Sequence, residues 1–157
     1  MNSKLLIYLS ILLYIISIIL YFKSDLNLNK PELSRYMLTM NTHMNKLGLS
    51  LYHKNRDLSR FYISEIKEDI ESIQNLFPYH NNININKLIN IILIPQINNL
   101  NYSIQNSLKL KLNLEPDETI ILYNNLINSC NRCHSATEHE YIKIEFDPLI
   151  NPFNQTF

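Results

Sequence analysis

Glycine, tryptophan and cysteine are scarce in this sequence of 157 residues, which has one glycine, no tryptophan and two cysteines. A single glycine excludes the glycine-rich phosphate loops of dinucleotide-binding and P-loop proteins, because those motifs need more than one glycine at fixed spacing. Neither charge sign is in excess, since 14 Lys and Arg balance 14 Asp and Glu, and this disfavours a nucleic-acid-binding protein. Charged residues make up only 18% and hydrophobic residues 46%, so general disorder is also disfavoured.

The first feature that the sequence does contain is an uncharged run of 18 residues from Leu5 to Phe22, flanked by Lys4 and Lys23. As a helix it would rise about 27 Å, close to the thickness of the bilayer hydrocarbon. We expect an uncleaved transmembrane anchor. A cleaved signal peptide is the alternative, but the run is longer than a usual signal core and no small-residue cleavage site follows it. Residues 1–30 are therefore expected to be anchor and spacer, and residues 31–157 one domain.

Four amphipathic helices are predicted within that domain, because apolar residues recur at spacings of three and four. The first runs from Pro31 to about Lys54, and the second from near Asp57 to Pro78. The third is less clear and follows Pro95. The fourth begins at Glu115, with acidic residues and a proline in its first turn. These segments predict an all-α four-helix bundle behind one membrane helix.

Three connecting segments complete the prediction. Residues 78–87 are polar and asparagine-rich and are expected to form a loop. Residues 89–94 could form a short strand or a helical turn. Residues 141–157 alternate briefly and then carry two prolines, so they are expected to form an extended tail.

The two cysteines lie in the sequence Cys130-Asn131-Arg132-Cys133-His134, which is the attachment motif of c-type haem. Residues three and four positions apart share one face of a helix. Cys130 and Cys133 can therefore reach the two vinyl groups of one haem as thioethers, while the imidazole of His134 reaches the iron. The rival functions are a redox dithiol, a structural disulfide and half of a zinc site. A zinc site needs more ligands, and a thioredoxin-type dithiol would lie in a βαβ context that this sequence does not show.

Covalent haem attachment also predicts an orientation. In bacteria the thioether bonds form outside the cytoplasm, so the domain is expected in the periplasm, tethered to the inner membrane by its amino-terminal helix. The charge asymmetry between the two flanks of the uncharged run is too small to set this orientation by itself.

With this motif at the end of its fourth helix, the sequence resembles class II c-type cytochromes, the cytochrome c′ and c-556 group of four-helix bundles. It is closer to a group of small proteobacterial membrane-anchored monohaem cytochromes, over about residues 33–157. The family pattern has a first hairpin, an acidic helix, an Ala-x-Gly-His sequence after the haem motif and a tail near Asn-Gln-x-Phe. The matching positions are Met37, Asn41, Lys46, Leu47, Asn55, Leu58, Phe61, Glu65–Glu71, Ala136–His139, Asn151–Phe153 and Asn154–Phe157.

The sequence departs from this pattern at three places. Gly48 and Arg56 stand where the family has tryptophan, and Met44 stands at the family's histidine position, with His43 displaced by one. The resemblance implies that the first helix crosses the far side of the haem. Met44 and Met37 are therefore our candidates for the second iron ligand, with His43 as the alternative, whereas the structural alternative for each methionine is flexible core filling.

The sequence thus predicts an electron carrier rather than an enzyme: a membrane-anchored periplasmic cytochrome with one covalently attached haem c, working with redox proteins of a respiratory chain. The alternatives are a five-coordinate haem protein that binds NO or CO, and an accessory haem subunit of a respiratory complex. A homodimer is conceivable by analogy with class II cytochromes.

Overall fold

The computed structural model of the protein describes residues 3–28, 31–109, 116–153 and 155, with side chains at 8–21, 31–106, 118–153 and 155. Two compact units are distinguished, Met1–Glu32 and Leu33–Phe157. The predicted start of the fourth helix at Glu115 and the tail residues Asn154, Thr156 and Phe157 lie outside the described residues.

Helix α1 of the first unit runs from Ser3 to Leu28. Its described side chains, from Tyr8 to Tyr21, are apolar or aromatic apart from two serines, and all of them are exposed within the unit. Within the described residues, no helix meets the length and hydropathy expected of a membrane span. The transmembrane anchor is therefore not supported by the structure and stays a prediction.

The second unit begins with a helical hairpin. Helix α2 covers Leu33–Tyr52 and helix α3 covers Arg56–Leu76. The side chain of Asn55 accepts a hydrogen bond from the Leu58 N–H and caps α3, so the cap lies two residues before the predicted Asp57. Lys54, in the left-handed region with φ 58°, ends α2. With so little glycine in the chain, lysine occupies a position that glycine usually takes.

The predicted loop at 78–87 contains regular structure. Strands β1 (Tyr79–His80) and β2 (Ile83–Asn84) pair antiparallel around a two-residue turn. Asn81 and Asn82 both have positive φ, the conformation of a type I′ hairpin turn, which asparagine tolerates better than most residues. The loop prediction for residues 78–87 was wrong, because a polar composition does not distinguish a hairpin turn from an irregular loop.

The third helix is longer than predicted and begins before Pro95. Helix α4 (Ile85–Leu88) leads through a π-helical turn (Ile89–Leu93) into α5 (Ile94–Lys109). The turn is widened just before Pro95, where the proline has no N–H to donate and its ring would crowd the carbonyl four residues back. The alternative of a strand at 89–94 is therefore excluded.

The last helix, α6, covers Pro116–Ala136 and begins with a proline in its first position. Beyond it, residues 142–147 run without a turn or bend, and Ile144 and Phe146 pack against the core. The tail is thus non-helical over its described residues, as predicted.

Taken over the described residues, the protein is mostly helical, which confirms the predicted all-α class. Helix α2 packs on α3, α3 on α5, α5 on α6, and α6 on α2, so these four helices close a ring around one core. Buried aliphatic side chains from all four helices fill that core, among them Leu47, Ile66, Ile97 and Leu126. The tail lies on the α2–α6 side of the ring, where the haem motif is also found.

Candidate functional site

A cavity of about 390 Å³ opens where α2, α6, the hairpin and the tail meet. This volume lies within the range of cofactor and ligand sites. Of the residues that the structure describes, no lysine, arginine, aspartate or glutamate lines it, so its described surroundings are apolar with a few polar groups. The lining residues are Leu33, Ser34, Met37, Leu38, Met40, Asn41, Met44, His80, Ile85, Cys130, Cys133, His134, Thr137, His139, Ile142 and Ile144.

One face of α6 brings the three residues of the predicted attachment motif to this cavity. Cys130 is buried and Cys133 is half-buried, and both are free thiols. Burial raises the pKa of the Cys130 thiol to about 12, with Cys133 adding to the shift, and burial also raises the pKa of Cys133. Both thiols are therefore protonated at neutral pH. This differs from reactive redox dithiols, in which the thiolate is stabilised.

The imidazole of His134 is held by the tail. Its Nδ1 lies 2.9 Å from the backbone carbonyl oxygen of Ile142. A carbonyl oxygen can only accept, so Nδ1 carries the proton and donates it, which leaves Nε2 as the nitrogen with a free lone pair. In histidines that ligate metals, the N–H of the other ring nitrogen usually donates a hydrogen bond to a carbonyl or carboxylate in this way.

The chain leaves α6 through a turn that places His139 at the cavity. The His139 N–H donates to the His134 carbonyl and the Glu138 N–H to the Ser135 carbonyl, the two bonds of a Schellman motif. Glu138 occupies the left-handed position of this motif, with φ 62°. The His139 ring donates from Nδ1 to the Thr137 carbonyl at 2.5 Å and lies 5.7 Å from the ring of His80.

Helix α2 supplies a further part of the cavity lining. Met37, Met40 and Met44 all line the cavity, and Met44 is the most deeply buried of the three. These methionines are remote in sequence from the Cys130–His134 motif, and the ring of four helices brings both groups to one cavity. Both predicted candidates for a second ligand thus share a cavity with the attachment motif.

His43 lies elsewhere. Its Nδ1 is 2.7 Å from the Asp69 carboxylate, and its Nε2 is 4.0 Å from that of Glu65, so the ring packs between α2 and α3 and does not line the cavity. Burial raises the pKa of Asp69 above its usual value, although the hydrogen bond from His43 opposes the shift. The sequence shows residues 65–71 only as an acidic run, and no sequence pattern indicates this contact.

Several other lining residues were not predicted. His80 lies in the segment that was predicted to be a loop, and it lines the cavity from strand β1 of the hairpin. Ile142 and Ile144 approach from the tail, and the alternation of residues 141–144 was the signal that could have found them. Asn131, the second residue of the haem motif, bonds the backbone of Ile144 through its side chain, and no sequence pattern indicates this.

Comparison with protein-family models, with characterised proteins and with solved structures finds no significant match to this chain. Among the described residues, no group of three or more His, Cys, Asp or Glu side chains is arranged to hold a metal ion.

Proposed function

We propose that the protein is a c-type cytochrome that carries single electrons on one covalently attached haem. The observation that carries this proposal is the shared cavity: Cys130, Cys133 and His134 of α6 face the same space as Met37 and Met44 of α2. The attachment motif alone is a short sequence pattern. Its position at an apolar cavity that methionines of α2 also line is what a haem site requires.

The residues of the cavity fit a haem c. The two cysteines are free to form thioethers, since neither is engaged in a disulfide. His134 has its Nδ1 proton committed to Ile142, so its Nε2 can ligate iron. When bound, the haem iron supplies the one-electron couple. The apolar lining limits water and, with the axial ligands, sets the reduction potential.

The methionines of α2 favour a carrier over a gas-binding protein. If Met44 or Met37 ligated the iron, its thioether would raise the reduction potential and would exclude CO and NO. Met44 is buried in the wall of the cavity and Met37 is half-buried there, so both side chains share the cavity with the motif. A gas-binding protein would instead need an iron that neither methionine ligates, with Met37 and Met44 serving only to fill the core.

The type of helical bundle and the cellular location of the domain are part of the same proposal. The cyclic packing of α2, α3, α5 and α6 supports a four-helix bundle of the cytochrome c′ type. We extend the proposal to location: α1 tethers the domain to the inner membrane with its apolar side chains from Tyr8 to Tyr21, and the haem domain lies in the periplasm. A tether would raise the effective concentration of the cytochrome near respiratory redox proteins.

The test is production of the full chain in a bacterial host that carries the c-type maturation machinery. We expect one haem per chain that stays attached during denaturing electrophoresis and gives a c-type pyridine haemochrome spectrum. The double variant Cys130→Ser with Cys133→Ser should lose the attached haem. Ser135→Ala, an exposed change in the same turn of α6, should keep it.

A colourless wild-type protein, with both thiols open to alkylation, would overturn the haem proposal. If the haem is attached, absorption spectra of the loaded protein distinguish the electron carrier from the gas-binding protein. A low-spin iron indifferent to CO supports the carrier, and a high-spin iron that binds CO identifies the gas-binding alternative.

A further inference from the structure

The side chain of Asn131 makes two hydrogen bonds to one residue of the tail. Its Oδ1 accepts from the Ile144 N–H at 2.7 Å, and its Nδ2 donates to the Ile144 carbonyl at 3.0 Å. The orientation of the amide is unambiguous, because the N–H can only donate and the carbonyl can only accept. Asn131 therefore pairs with the tail as a neighbouring β-strand would, although it belongs to a helix.

The same segment of tail holds His134. Ile142 and Ile144 are two residues apart in a stretch without turn or bend, so their main-chain groups face the same side. Asn131 and His134 are three residues apart, so they share one face of α6. The helix face and the tail thus meet at two points, Asn131 with Ile144 and His134 with Ile142.

The two points differ in strength. His134 makes one hydrogen bond, to a carbonyl near the exposed side of the tail, where Ile142 is 42% exposed. Asn131 makes two, to a half-buried residue. Phe146 adds an apolar contact farther along, with its ring 5.1 Å from that of Tyr123. Of these contacts, the pair at Asn131 lies nearest to the acceptor that His134 uses.

We propose that Asn131 is a positioning residue for His134: by clamping the tail at Ile144, it holds the Ile142 carbonyl where it receives the Nδ1 proton. This inference rests on the proposed function, since it assigns to Asn131 the control of an axial iron ligand. Asn131 does not touch the iron site itself. It acts through the tail backbone, and the hydrogen bond at Nδ1 makes His134 a more electron-rich ligand.

The first part of the test needs no haem. Lys143 is exposed and lies between the two contact points, so trypsin reports whether the tail is held. In the full chain without haem, Asn131→Ala should speed cleavage after Lys143 several-fold over the wild type. Asn128→Ala, an exposed asparagine one turn earlier on α6, is the matched control and should leave the cleavage rate unchanged.

The second part uses the loaded protein. Loss of the clamp should weaken the Nδ1 hydrogen bond, which shifts the reduction potential upward and speeds exchange of the His134 Nδ1 proton in the reduced protein. Asn131→Asp keeps the acceptor for the Ile144 N–H but loses the donor, so it should also speed the exchange of the Nδ1 proton and the cleavage after Lys143. The reduction potential is left out of this comparison, because the added negative charge lowers it by itself. This variant also tests whether Asn131 positions His134 if Asn131→Ala does not fold.

Equal cleavage of Asn131→Ala and wild type would overturn the clamp. Faster cleavage with an unchanged potential and an unchanged exchange rate would overturn the positioning role. A wild-type chain that takes up no haem would instead contradict the proposed function, and the trypsin comparison would still decide whether Asn131 holds the tail.

Discussion

The hydroxyl of Tyr123 donates a hydrogen bond of 2.7 Å to the backbone carbonyl of Met44, joining α6 to α2 across 79 positions of the chain. Tyr123 is buried, and its ring packs in a T-shaped arrangement with the ring of Phe146 from the tail. A single side chain thus connects the helix that carries the haem motif, the helix that carries the methionines and the tail that holds His134.

Removing this hydroxyl should destabilise the protein. Tyr123→Phe loses one hydrogen bond with little change in volume, which typically costs about 1 kcal/mol in the free energy of unfolding. Tyr102→Phe on α5 is the control, because Tyr102 is 68% exposed and should change little. Urea denaturation of both variants measures the difference, and equal losses would contradict a specific role for the buried bond.

The same tyrosine predicts a loss of stability in alkali. Burial raises the pKa of Tyr123 above its usual value, so the folded state holds this proton more tightly than the unfolded state does. The contribution of Tyr123 to stability is fully present below about pH 10 and is lost as the pH rises above that value.

Unfolding of the loaded protein at pH values from about 9 to about 11 should give a slope of up to about 1.4 kcal/mol per pH unit from Tyr123. A slope that persists in Tyr123→Phe would contradict this assignment. Cys130 cannot supply it, because a thioether has no proton to lose.

Gly48 should tolerate no larger residue while Phe146 and Tyr123 keep their places. A Cβ at this position would lie 2.6 Å from one ring atom of Phe146 and 2.8 Å from one of Tyr123. Alanine would favour the helix by about 1 kcal/mol, but overpacking of this kind costs about 1–3 kcal/mol. We expect Gly48→Ala to destabilise the protein, and to do so less in a Phe146→Ala background. A double-mutant cycle by denaturation measures this coupling, and strictly additive effects would contradict the packing argument.

Glu138 is predicted to be replaceable by glycine with a gain in stability. Its φ of 62° is a left-handed conformation that disfavours a side chain with a Cβ. Glu138→Gly should raise the free energy of unfolding by about 0.5–1 kcal/mol. The control is Glu140→Gly two residues on, where φ is not positive and glycine should lower stability instead. A loss of stability in Glu138→Gly would refute the prediction.

The methionine prediction concerns the iron. If the second ligand is one of the two candidates, either Met44→Leu or Met37→Leu should convert the oxidised iron from low spin to high spin and open it to CO. Met40→Leu is the matched control, because Met40 lines the same cavity without being a candidate. Absorption spectra decide the outcome, and low-spin spectra in both Met44→Leu and Met37→Leu would eliminate both ligands.

Local sequence signals were accurate where local geometry decides the structure. The stripes at three- and four-residue spacing placed α2, α3 and α6 within a few residues of their observed ends over the described range. The hairpin at Tyr79–Asn84 was missed. Of the two alternatives for residues 89–94 the helical turn is confirmed, although its π-helical form was not foreseen. Each depends on a few dihedral angles that the polar or apolar character of the residues does not encode.

What the sequence determined by itself is the grouping of Cys130, Cys133 and His134, because residues three and four positions apart on a helix must share a face. The tertiary structure alone decided which groups meet that face. Met44 and Ile142 reach it only because α2 and the tail pack on α6, and His43 turns instead toward Asp69. Such contacts join residues far apart in the chain, so they follow from how the whole core packs and from no local pattern.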